Sequence, residues 1–202
     1  MISMKMGAAF LLLSTATAQT IKLQESGQIH IGGVAPSFGG WDLAGKSVLT
    51  FDKILKTPAP APLLVTFGAS YCAPCNLGLP RMVALQKKNP QMRLVLIDVE
   101  SDQAAAQGFA SKHGMEGPAV LDKFEGIAKS YGLQENGKLA MPRTFLIDAK
   151  GRVRAIYREE GADLETVIEA DLAATLEANA QPAVPGAAAA TTGAATATPA
   201  KP

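Results

Sequence analysis

The chain has 202 residues, enough for one domain of ordinary size plus extensions. Apolar residues make up 48% and charged residues 18%, a balance that supports a buried core. A formal net charge of +1 provides no basic field for nucleic acid, so a nucleic-acid partner is not expected.

The N-terminus reads as a processed segment. Lys5 supplies a short positive region, residues 6–13 an apolar core, and Ala16-Thr17-Ala18 a small-x-small cleavage pattern. The expected signal peptide is therefore 1–18, with cleavage before Gln19. Cleavage removes Lys5 and no acid, leaving a formally neutral chain. An uncleaved anchor is opposed by length, since a span needs roughly 20 apolar residues. The mature chain is thus expected to carry no transmembrane span.

Elements follow in order. Residues 28–31 alternate polar and apolar and suggest a short strand. Residues 32–40 are Gly- and Pro-rich and read as a loop. Residues 47–49 suggest another strand, and 52–56 a brief helix stopped by Pro58 and Pro60. Residues 63–67 form a continuous apolar run, as in a strand buried on both faces. A helix follows Cys72-Ala73-Pro74-Cys75, runs to about Asn89 and stops at Pro90. Residues 92–99 are a second apolar strand. A helix over 102–113 has Ser101 or Asp102 as its cap and Gly114 just past its end. Residues 119–121 are a short strand and 126–131 a helix ended by Gly132. Residues 143–148 and 153–157 read as a hairpin turned by Ala149-Lys150-Gly151-Arg152. A last helix covers 163–178. From Ala178 onward the chain is Ala, Thr, Pro and Gly with almost no charge, a composition that builds no core and reads as a disordered tail over 178–202. The folded domain is expected over 19–177. Strands joined through helices pair in parallel with right-handed crossovers, and the final hairpin adds antiparallel strands. The fold class is α/β, with a mixed sheet between helices on both faces.

The two cysteines are the only ones in the chain. Their position at a helix start, where backbone N–H groups and the helix dipole favour negative charge, points to thiol chemistry. A disulfide between residues three apart closes almost no loop and stabilises little, so a redox role explains the spacing better than a structural one.

The segment Phe67-Gly68-Ala69-Ser70-Tyr71-Cys72-Ala73-Pro74-Cys75 resembles the active-site segment of the thioredoxin superfamily. The run from Met141-Pro142-Arg143 through Asp148-Ala149-Lys150-Gly151 is similar to its second signature, a cis-proline before a strand and an Asp-x-x-Gly turn. Ala35-Pro36-Ser37-Phe38 resembles the N-terminal pattern of the exported TlpA/ResA-like branch, which is related to the AhpC/TSA proteins. Together, over about residues 32–176, these imply a thioredoxin-like three-layer α/β/α fold with an N-terminal extension and a helical insert. They imply an exported, periplasmic thiol–disulfide oxidoreductase that uses no cofactor. In that reading Cys72 attacks a client disulfide and Cys75 resolves the mixed disulfide. Tyr71, Ala73, Pro74 and Pro142 support the site, Pro142 through a cis bond, and Met141 is a substrate-contact position or a core methionine. Clients are protein thiols and disulfides, such as cytochrome c maturation components, with a membrane-bound electron donor.

The sequence also departs from the pattern. Gly68 and Tyr71 stand where many relatives have Trp, Thr66 where thioredoxin has a buried acid, and Ala73 where some relatives have Glu. The proton acceptor for Cys75 is left to water or a carboxylate such as Glu100. His30 and His113 are too few and too separated to build a zinc site with the cysteines. Trp41 reads as a packing residue, Arg158-Glu159-Glu160 as a solvated turn, and Asp148 as an organiser of its turn. Two other functions are weighed. A thiol peroxidase needs Pro-x-x-x-Thr-x-x-Cys, a spacing that Pro62, Thr66 and Cys72 do not meet. The other is a non-catalytic binding or adaptor module.

Overall fold

The computed structural model describes residues 29–158 and 162–180. The expected signal peptide, Glu159, Glu160 and the tail past residue 180 lie outside these residues. The first elements are short. β1 (Gly39–Trp41) pairs antiparallel with β2 (Val48–Thr50), although its glycines had suggested a loop. The expected strand at 28–31 reduces to a single bridge residue at Ile29 among the described residues. Thr50 caps α1 (Phe51–Lys56), its hydroxyl accepting from the Lys53 N–H at 3.3 Å. The Thr57–Pro58 bond after this helix is cis.

β3 (Leu63–Gly68) leads into α2 (Ala73–Lys88), and β4 (Arg93–Asp98) into α3 (Gln103–Lys112). Asp102 is the cap of α3, accepting from the Ala105 N–H at 2.8 Å. Pro80 lies inside α2 and has no N–H for the Asn76 carbonyl one turn earlier. Then come β5 (Ala119–Leu121), α4 (Gly126–Ser130) and a small hairpin, β6 (Gln134–Glu135) with β7 (Lys138–Leu139). This hairpin had no apolar alternation to announce it. β8 (Arg143–Ile147), β9 (Val153–Tyr157) and α5 (Leu164–Ala180) complete the chain, so Ala178 to Ala180 are helical. Asp148 organises the β8–β9 turn, with one oxygen accepting from the Lys150 and Arg152 N–H groups and the other from Arg154.

The central sheet has the order β5-β4-β3-β8-β9. β3, β4 and β5 run parallel, while β8 and β9 are antiparallel to their neighbours. Side chains alternate across it. Leu63, Val65, Phe67, Val95, Ile97, Phe145 and Ile147 face one core, closed by Phe51 and Ile54 of α1 and by Tyr131 just after α4. Leu64, Leu94, Leu96 and Leu146 face the other, closed by Leu79 and Met82 of α2, Phe109 of α3 and Ile168 and Leu172 of α5. This is the expected α/β/α arrangement with a mixed sheet.

The chain before β1 crosses the first of these faces, burying Ile29, Ala35 and Phe38. At one sheet margin it bonds β9 and the preceding turn: Gly32 N–H to Val153 O at 2.7 Å, Val153 N–H to Gly33 O at 2.9 Å, and Ala35 N–H to Gly151 O at 2.9 Å. At the other margin, just past β1, Asp42 bridges Val120 and the Leu43 N–H reaches Ala119 O at 3.3 Å. Trp41 is not a packing residue. It is 56% exposed, opposite Val48 on the outward face of the β1–β2 pair.

Thr66 and Thr144 are buried opposite each other on β3 and β8, their hydroxyls 2.9 Å apart. Thr66→Val strands the Thr144 hydroxyl and is expected to cost about 1–3 kcal/mol. The double Val variant, which leaves neither hydroxyl behind, is expected to cost less than the sum of the singles. Urea melts of the three variants check this.

Candidate active site

The turn from β3 into α2 places the cysteine pair. Cys72 is the N-cap of α2, with extended backbone (φ −85°, ψ 102°), and its Sγ accepts from the Cys75 N–H at 3.3 Å. A sulfur here meets the unpaired N–H groups and positive end of the helix, a setting that favours a thiolate by roughly 0.3–1 kcal/mol. Pro74 is the second helical residue, where its missing N–H leaves nothing unsatisfied. The cysteines form a disulfide with Cα atoms 5.2 Å apart. Both cysteines are buried, Cys72 at 8% exposed and Cys75 at 2%, so the cap residue is the less covered of the two.

The Met141–Pro142 bond is cis. Pro142 lines a small cleft together with Cys75, Thr66, Gly68, Leu79, Leu96 and Phe109, so the second signature meets the first. Met141 is half-buried and packs against both cores. Tyr71 is 64% exposed beside Cys72. Partial burial and the nearby Glu100, Glu125 and Asp98 charges hold its phenol above the usual value. Ala73 and Pro74 are exposed on the same turn.

Three further residues shape the site. Asn76 holds the active-site turn: its amide donates to Ser70 O at 2.8 Å and Cys72 O at 3.0 Å, and its oxygen faces Lys112 and His113 at 3.2 and 3.1 Å. Burial, then the Lys112 charge, keep His113 more readily neutral than usual. The only sequence signal for Asn76 was its place directly after the motif. Glu100, the carboxylate considered as proton acceptor, is turned to Ser70, whose N–H donates to it at 2.7 Å and whose hydroxyl donates to the same oxygen. In the sequence Asp98 is one residue of an apolar strand. It is fully buried, and burial pushes its carboxyl up to about 7; the Glu100 N–H opposes that rise, and the Glu100 charge adds to it.

Arg143, directly after Pro142, is also buried. It pairs with Glu135 of β6 at 2.9 Å, and Arg158 reaches the same oxygen at 3.0 Å. His30 lies against Gly33 in the N-terminal segment and His113 on Asn76, so neither joins the cysteines. Among the described residues no three His, Cys, Asp or Glu side chains gather to hold a metal. Among them, too, no helix is long and apolar enough to cross a membrane.

A disulfide-bonded pair at a helix N-terminus, with two helical residues between the cysteines, has the chemistry of thiol–disulfide exchange. Comparison with known proteins agrees. The family model described as AhpC/TSA family matches residues 31–156, more than half of the chain. The thiol:disulfide interchange protein DsbE homolog of Paracoccus denitrificans is 36% identical over 132 residues, 65% of this chain and 66% of that protein. The thiol-disulfide oxidoreductase ResA of Bacillus thuringiensis is 28% identical over 148 residues, 71% of this chain and 80% of that protein. Among solved structures, a DsbE-named thiol:disulfide interchange protein of Chlorobium tepidum superposes with a TM-score of 0.63 at 23% identity, over 73% of this chain and 99% of that one, a likeness of fold. The chain belongs to the AhpC/TSA family, as a thioredoxin-like thiol–disulfide oxidoreductase of the DsbE/ResA type.

Proposed function

We propose that the protein is an exported, periplasmic reductase of client-protein disulfides, working through Cys72 and Cys75 and recharged by a membrane-bound dithiol donor. The observation that carries this reading is the difference between the two cysteines: Cys72 caps α2 and is the less covered, while Cys75, inside the helix, is almost fully buried. Cys72 thiolate attacks a client disulfide. The bond to the first client sulfur forms as the client S–S bond breaks. Cys75 then displaces the client, leaving Cys72–Cys75 oxidised and the client reduced by two electrons. Met141 and the cis-proline loop flank the bound client segment, and Tyr71 offers it a flat apolar surface. Export rests on the leader read at residues 1–18. Cytochrome c maturation components are the client class we put first. The peroxidase alternative gains nothing from the site, because the spacing around Cys72 does not meet the peroxidatic pattern.

Direction is a matter of reduction potential. Equilibration of the purified protein with a glutathione or dithiothreitol ladder is expected to give a value below about −180 mV, the region of dithiol reductants. A value near −120 mV, as oxidising as DsbA, would make the protein a donor of disulfides instead.

A further inference from the structure

Even residues of β3 and β4 point to the α2 side of the sheet: Leu64 and Thr66 on β3, Leu94 and Leu96 on β4. The next residues on that face are Gly68 and Asp98, direct partners in the parallel ladder. Strands in a ladder lie about 4.8 Å apart. Gly68 has no side chain, and a methyl group placed there would sit 3.4 Å from Cys75 Cβ. The glycine thus lets Cys75 pack at contact distance over β3, one strand away from Asp98. The Phe109 ring edge, 3.4 Å from the same point, packs beside Cys75 there.

One oxygen of this carboxyl is held: Asp98 Oδ1 accepts from the Glu100 N–H at 3.1 Å. The other, Oδ2, is buried with no hydrogen-bond partner among the described residues. A buried unpartnered oxygen is costly, and its presence asks for a reason. Other ionisable groups near this spot have their own partners or point elsewhere. Glu100 is bound to Ser70, and Asp122 accepts from the Ala128 N–H at 2.8 Å while its own N–H bonds Asp98 O. Lys112 and His113, at the end of α3, face Asn76. Tyr71, from the active-site turn, feels the Asp98 charge from the surface.

We propose that Asp98 is the proton acceptor for Cys75 in the resolving step, acting from the strand beside Gly68, over which Cys75 packs. This rests on the exchange chemistry of the pair and goes beyond it by assigning the base. In the mixed disulfide, Asp98 takes the proton from the Cys75 thiol. The Cys75 thiolate attacks Cys72 Sγ, the Cys72–Cys75 bond forms, and the bond from Cys72 to the client sulfur breaks. The client sulfur leaves with the electron pair as thiolate, and the proton on Asp98 passes later to solvent. A carboxyl that burial holds near neutrality can accept and return this proton at working pH.

The test is the two-phase reaction of the reduced full chain with an aromatic disulfide reagent. Its first equivalent of coloured thiolate reports attack by Cys72, and its second reports resolution by Cys75. Asp98→Asn is expected to slow the second phase by roughly 100-fold and flatten its pH profile, with the first phase unchanged. A second phase with wild-type rate and pH profile would overturn the proposal. A missing first phase in the unaltered protein would instead sink the exchange reading itself. A measurement on the unaltered protein covers a variant that does not fold: the Asp98 carboxyl carbon, followed by NMR, is expected to titrate at different pH in the oxidised and reduced forms. An identical titration in both also overturns the assignment.

Discussion

Cys72→Ser is expected to reduce disulfide exchange to the uncatalysed background, while Cys75→Ser still attacks but cannot let go. The asymmetry follows from geometry. The sulfur at the helix cap accepts from the Cys75 N–H and is the more exposed of the two. A serine hydroxyl there does not ionise at neutral pH and forms no bond to sulfur that exchange could reverse. Cys75→Ser keeps the attacking thiolate and removes the displacing one, so the client stays attached to Cys72. Non-reducing gels with mass spectrometry of the adducts read both outcomes. Neither change should unfold the protein, since the disulfide joins residues three apart and loop closure of that size is worth about 2 kcal/mol. Exchange activity persisting in Cys72→Ser would remove the basis of the mechanism.

Asp98→Asn is expected to stabilise the fold, and to do so in a pH-dependent way. The carboxyl titrates near 3.8 when free and at about 7 in the folded protein. Between those values the folded state holds a proton that the unfolded chain has released. Stability therefore falls as pH rises from about 3.8 to about 7 and is level above that. Three units of displacement correspond to about 4 kcal/mol. Asparagine keeps the acceptor for the Glu100 N–H and never charges. The gain should approach that figure above neutrality and shrink toward zero near the carboxylate range, as read from urea melts at both ends. A gain that does not vary with pH would show that charge burial is not its source. An aspartate that lowers stability at this position is consistent with a residue kept for chemistry.

Much of the site was legible in the sequence because it is local. The cysteine pair, the proline between them and the helix they open lie within one turn of chain, and the apolar runs of β3 and β4 admit little but buried strands. Asp98 was not legible. It ends the apolar run of β4, and its burial depends on lying opposite Gly68 in a ladder between segments 30 residues apart. Its significance needs the position of Cys75 over that glycine. Arg143 was hidden in the same way, since its partner Glu135 sits on a two-residue strand too polar and too short to show periodicity. Trp41 misled because a large apolar residue is usually covered, whereas here β1 turns the ring outward, opposite Val48.

The segment before β2 touches both margins of the central sheet, β9 through Gly32 and Gly33 and β5 through Asp42 and Leu43. Unpaired strand margins invite other chains to add themselves by backbone hydrogen bonds. A version of the protein beginning at β2 would retain its cysteine pair and its central strands, yet expose N–H and C=O groups on two opposite sides. Such a shortened chain would join end to end into assemblies, so a segment that supplies none of the chemistry keeps the molecule a discrete particle.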